Sequence, residues 1–258
     1  MAYTSVSPFK DKVIRKMITA ACYAEIGLAA GPEWDPGRLE EVIDGKDYGE
    51  FTGRYRRLFR GVVPNNESAN FFETELDYKC NIVFWRDHPF WTLLVKHPIT
   101  HKDIELALMS VTSNVRRYIW GEPPRRNKKT QTRGIRVIPS RESIEKIAKY
   151  KNLDSLIALV AYAREGRDSG MLQEYVMSAS HSLRIFPDVI ARNPHLYICW
   201  KPLARRLKSL IWQPKPSFVL ELKQNVTIPM LKERIEPLAN SSITKGIQLP
   251  PEDIIRRF

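Results

Sequence analysis

Glycine is scarce in this chain, 12 among 258 residues, against roughly 7% in an average protein. That weighs against an enzyme built on several glycine-rich phosphate loops. The sequence holds no GxxxxGK[ST], no GxGxxG after a strand-like run, no GxSxG and no HExxH. Cysteine is nearly absent as well. Cys22, Cys80 and Cys199 are far apart, so neither a disulfide framework nor a paired-cysteine zinc pattern exists. This predicts a reducing compartment, the cytoplasm. No apolar run approaches the roughly 20 residues that span a bilayer, so no membrane partner is expected. Lys10, Lys12, Arg15 and Lys16 precede an apolar Met17–Tyr23 in the outline of a signal peptide. Glu25 interrupts that outline, and Val13, Met17, Ala20, Ala21 and Ile26 recur at helical spacing, so the segment reads as an amphipathic helix.

What is plentiful is positive charge, and it is unevenly placed. Residues 1–123 carry 16 Lys+Arg against 17 Asp+Glu, whereas residues 124–258 carry 25 against 12. The formal net charge of +12 therefore comes entirely from the second half. Clustered cations are what a polyanion rewards, so the asymmetry points to nucleic acid or an anionic surface. The bland reading is that a basic pI serves solubility.

Three regions follow from composition: a helical, charge-neutral 1–121, a basic linker or arm 122–133, and a basic half 134–258. Pro123-Pro124 cannot continue a helix, and the residues after them offer no aliphatic side chain to bury. Arg125, Arg126, Lys128, Lys129 and Arg133 make this stretch a candidate phosphate-tracking arm. In the first half, Lys10 to Leu28 predicts one helix. Phe71–Trp91 reads as a strand or a buried helix, and Thr100 with Asp103 as a helix-starting box. Tyr55 lies among Arg54, Arg56, Arg57 and Arg60, which can form a phosphate-contacting patch. In the second half, Gly134–Ile138 alternates as a short strand, and Phe218–Leu222 as another. Ser140 or Ser143 caps a helix, Asn152 suits its end and Asp154 starts the next. Gly166 and Gly170 bracket a break. Lys201, Arg205, Arg206 and Lys208 beside Leu203, Leu207, Leu210 and Ile211 form a basic amphipathic helix.

Signals for chemistry are weak. His97 and His101 are four apart, but Pro98 and Thr100 place His97 outside the helix, and no thiol or carboxylate completes a metal site. Glu73, Glu75 and Asp77 alternate as solvated carboxylates on a strand face would. No catalytic residue, cofactor, metal or small-molecule substrate is expected.

The segment TRGIRVIPSRESIEKIAKYKNLDSLIALVAYARE, residues 132–165, resembles the ribbon-helix-helix DNA-binding proteins. That resemblance implies a mainly α fold with short β, a helical scaffold with an embedded β-α-α unit over 134–166. In that family, strands from two chains pair and enter the major groove, so the protein would act as a homodimer or higher oligomer on double-stranded DNA. It implies base contacts from Thr132, Arg133 and Arg136. Arg125, Arg126, Lys128, Lys129, Arg54, Arg56, Arg57, Arg205 and Arg206 would hold phosphates. More faintly, size and composition resemble the AcaB-type transcriptional activators of conjugative plasmids. The first expectation is thus a sequence-specific transcriptional regulator. The second is an RNA-binding or nucleoprotein-scaffold subunit that tracks a backbone along Arg54–Arg60 and Lys201–Lys208. A nuclease using scattered carboxylates is a third, weaker reading.

Overall fold

A computed structural model describes residues 7–31, 36–45, 55, 60–120, 136, 139–212 and 226–256. Its first helix is covered on every side through its middle turns. Helix α1, Lys12–Ala30, is capped by Asp11, whose carboxylate accepts from the amides of Val13 and Ile14. From Met17 to Ala24 every one of its side chains is fully covered. Such a helix is a central element rather than a surface one, which is why its apolar residues exceed one stripe. The hydroxyl of the buried Thr19 is satisfied by the Arg15 carbonyl at 2.9 Å.

The first half adds short helices: α2, Pro36–Asp44; α3, Asn66–Glu75; α4, Ile82–Arg86; α5, Phe90–Leu93; α6, His101–Met109; and α7, Ser113–Arg116, of which α2 and α4 pack against α1. The aromatic stretch 71–91 is therefore helical turns, not a strand. Trp85, Phe90 and Trp91 lie in the core, and the Trp91 indole donates to the Trp85 carbonyl at 2.6 Å. Glu73 does not sit on a strand face either; its carboxylate accepts from the Ile82 amide at the start of α4. Thr100 and Asp103 form the reciprocal capping box that starts α6.

The second half is organised by a helical hairpin. Helix α8, Arg141–Lys149, is capped by Ser140. It leads into α9, Leu153–Ser169, and α10, Leu172–Arg192. Asn152, not Asp154, caps α9 by accepting from the Ser155 amide, and Lys151 makes the turn in the left-handed region at φ 48°. Gly170 at φ 74° ends α9 as a left-handed cap. Gly166 does not break the helix. A Cβ there would lie 2.8 Å from the Tyr175 amide, so glycine is what lets α9 and α10 pack closely. Beyond them lie α11, Pro194–Tyr197; α12, Trp200–Leu207, continuing as a π-turn over Lys208–Trp212; α13, Ile228–Ile243; and α14, Glu252–Ile255. Helix α13 runs through Pro237 as one element.

The expected β-α-α architecture is corrected by this fold, which is all-α. Among the described residues there is no strand. Residue 136 makes only an isolated antiparallel bridge with Trp120. A ribbon-helix-helix unit needs a paired strand, and it needs its second helix to face a twofold mate. Here Ser155 to Arg164 of α9 are all buried, with α6, α8 and α10 packed against the helix within the same chain. The second strand expected, Phe218–Leu222, lies outside the described residues.

A single apolar cluster crosses the boundary at 121–134, taking in α1 and α4 to α6 from one side and α8 to α13 from the other. Arg164 on α9 reinforces that junction. Fully buried, it donates to the carbonyls of Leu93, Val95 and His97 at 2.7–3.0 Å, the chain leaving α5. Burial, with repulsion from Arg167 and Arg206 added, lowers its pKa to about 10. Among the described residues no helix is long and apolar enough to cross a membrane.

Candidate nucleic-acid interface

The positive excess of the second half sits in two short stretches. Residues 124–138 contain six Lys+Arg and no acid, and residues 194–212 contain four and no acid. The hairpin region 139–193 between them is nearly balanced, eight against seven. The helices of the former β-α-α segment are thus not the source of the charge.

Of the residues expected to touch nucleic acid, Arg54, Arg56, Arg57, Arg125, Arg126, Lys128, Lys129, Thr132 and Arg133 lie outside the described residues. Three can be placed. Arg136 is turned inward. Its Nη1 meets the Glu165 carboxylate at 2.9 Å, its Nη2 takes the second carboxylate oxygen, and its guanidinium lies 5.7 Å from the Tyr162 ring centre. With its side chain 14% exposed, it is an internal ion-pair partner, so the strand that was to present it to a groove is gone. Arg206 is likewise buried, both Asp11 carboxylate oxygens lying 2.8 Å from Nη2, while its Nη1 has no partner. Arg205, one residue earlier, is exposed. Tyr55 is a core residue whose hydroxyl donates to Asp44.

The Arg206–Asp11 bridge does more than fill a hole. It docks α12 against the first turn of α1, where Lys10, Lys12, Arg15 and Lys16 are all exposed. Gly61, at φ 78°, runs against the same turn, a Cβ there falling 3.1 Å from Lys16 Cγ. The exposed Arg60 therefore borders it too. Arg60 thus borders residues 10–16 from one side, and α12, which carries the exposed Arg205, docks on them through Arg206. Asp11 is the one acid of that turn, and Arg206 neutralises it. No acidic residue follows in the first turn of α1.

That arrangement works against the helix. The N-terminus of an α-helix carries partial positive charge and favours acids. A cation there costs about 0.3–1 kcal/mol. Lys12, Arg15 and Lys16 occupy this end of a 19-residue helix, so the local rule is broken in the direction an anionic ligand would reward. Sequence reasoning passed over this turn because it took these cations for the outer face of an amphipathic helix. Their position in the first two turns after an N-cap was the available signal.

A second surface combines aromatics with cations. The rings of Tyr118 and Tyr150, both half-buried, lie 6.4 Å apart, with the Arg117 guanidinium 5.0 Å from the Tyr118 centre and its Nη2 donating to the Tyr150 hydroxyl at 2.6 Å. Lys146 lies 5.9 Å from the Tyr118 ring centre while paired to Glu142. Hydrogen bonds from Tyr118 and Arg117 hold the Tyr150 phenol below its ordinary pKa.

The chain matches no family model, no curated protein and no solved structure. Its function therefore has to be argued from these surfaces.

An acid–base pair also exists. His195 on α11 meets Glu25 on α1 at 2.5 Å and stacks on Trp85 with ring centres 4.0 Å apart. Burial pushes the Glu25 carboxyl up. Hydrogen bonds from His195, the Asn81 amide and Trp85 outweigh it and hold the group below the usual range. Both oxygens are thereby occupied, one by Asn81 and one by His195, which makes the pair a strut between α1 and α11. The thiols of Cys22, Cys80 and Cys199 are buried and pushed up by that burial, so they are poor nucleophiles. Among the described residues, no three His, Cys, Asp or Glu side chains are grouped to hold a metal.

Proposed function

We propose that this chain is a helical nucleic-acid-binding protein. It holds a sugar–phosphate backbone along the basic face formed by the first turn of α1, Arg60 and the exposed side of α12. The observation that carries this reading is the crowding of Lys12, Arg15 and Lys16 at the positive end of α1, with α12, which carries the exposed Arg205, docked there by the Arg206–Asp11 bridge. A phosphate chain supplies the charge such a turn lacks, and the counterions it sheds supply the driving force. The basic stretch 124–133, outside the described residues, adds cations that a polyanion would also draw. The ribbon route to base edges falls with the strand, so binding that tracks the backbone, as in a nucleoprotein subunit, is favoured over sequence-specific regulation of duplex DNA. Three free, buried cysteines support a reducing compartment, for which we propose the cytoplasm.

The test is binding of the full chain to labelled single-stranded RNA, single-stranded DNA and duplex DNA, each titrated with salt. The expected result is affinity that falls steeply and linearly on a log–log plot and changes little when the sequence is scrambled. Binding confined to one duplex sequence would favour the regulator instead. Absence of salt-dependent binding to all three would remove the reading.

A further inference from the structure

Tyr150 belongs to two features at once. Its ring forms the pair with Tyr118 under Arg117. It also lines a cavity of about 360 Å³ at the α8–α9 turn, shared with Lys151, Asn152, Val189, Arg192 and Asn193. That volume falls within the ~300–1,000 Å³ range of small-ligand sites.

The chemistry of the lining is specific. Val189 and Leu153 give an apolar surface beside the aromatic ring. Asn152 and Asn193 are both helix caps. Their carboxamide oxygens are occupied, accepting from the Ser155 and Leu196 amides. What each has left is an NH2 donor. The charged groups of the lining are already engaged. Lys151 and Arg192 approach Asp188 at 3.4 and 3.9 Å, and Asp154 accepts from the Thr112 hydroxyl at 2.5 Å. A cavity whose charges have partners, lined by an aromatic residue and offering donors, suits a planar uncharged group with carbonyl acceptors better than it suits a polyphosphate. One cation stands beside its aromatic residue, Arg117 on the Tyr150 hydroxyl.

We propose that this cavity receives one unstacked nucleobase of a single-stranded nucleic acid, stacked on Tyr150 and met at its carbonyl oxygens by the amide groups of Asn152 and Asn193. The inference rests on the nucleic-acid reading above and narrows it to unpaired strands, because a base held inside a duplex cannot present its face to Tyr150. It uses a surface distinct from the first turn of α1.

The experiment compares oligo-uridine with a duplex RNA of equal length on the full chain and two variants. Tyr150→Ala is expected to weaken oligo-uridine by about 5- to 150-fold, the range that base–aromatic stacking supports, and to leave duplex affinity unchanged. Tyr150→Phe keeps the ring and is expected to restore the affinity. Unchanged thermal unfolding of Tyr150→Phe, and duplex binding by Tyr150→Ala, serve as the controls for folding. Equal loss on both nucleic acids, no loss on oligo-uridine, or failure of Tyr150→Phe to restore it would overturn the cavity assignment while leaving the basic face standing. Absence of binding to either nucleic acid by the unaltered protein would remove both readings.

Discussion

Arg164 shows how little of a side chain's role is written beside it in the sequence. Read along α9 it is the first polar residue after an apolar run, a natural surface cation. In the fold it is fully buried and closes three carbonyls of the chain leaving α5, 67 to 71 residues away. Replacing it with Ala removes those donors and leaves the carbonyls buried without partners. The expected cost is about 1–3 kcal/mol for a buried carbonyl left unpaired, read as a lower urea midpoint, with Arg164→Met falling between Ala and the parent because it refills part of the volume. An unchanged midpoint for Arg164→Ala would contradict the junction described here. Arg136 and Arg206 teach the same lesson. Both were legible as cations and neither as an ion-pair partner, because Glu165 and Asp11 are 29 and 195 residues distant. Exposed Arg205 and buried Arg206 are neighbours of the same type, and only packing separates their roles.

At the scale of elements, helix starts with a local cap were legible: Thr100 with Asp103, and Ser140. These interactions span three residues and need no tertiary context. Very short helices were harder. In the aromatic and β-branched stretch around Trp85 the helices α4 and α5 have only five and four residues, too few to reveal a period of 3.6, so strand and helix could not be told apart. Gly134–Ile138 has a strand's alternation, but alternation makes a strand only where a partner supplies the ladder. Among the described residues only the bridge between Trp120 and Arg136 forms. Helix α1 carries the clearest element-level prediction. Changing Lys12, Arg15 and Lys16 together to Ala removes cations from the positive end of the helix dipole. Stability without ligand is expected to rise, by about 0.3–1 kcal/mol for each of Lys12 and Arg15 and less for Lys16, one turn further in. The check is urea unfolding at low salt. A fall in the midpoint would show that these side chains stabilise the helix and carry no functional strain.

For the whole molecule, the charge asymmetry between halves was legible from composition, but its geometry was not. The fold brings Arg60 and helix α12, the carrier of Arg205 and Arg206, to the helix end that holds the cations of residues 10–16, combining the nominally neutral half with the basic one. The salt dependence of nucleic-acid binding tests this most directly, measured on the parent and on the variant with Lys12, Arg15 and Lys16 all changed to Ala. If each of the three cations neutralises a phosphate, the log–log slope on single-stranded RNA becomes shallower by about 2, at roughly 0.7 per contact, in a protein at least as stable as its parent. The same slope and affinity in parent and variant would contradict the account.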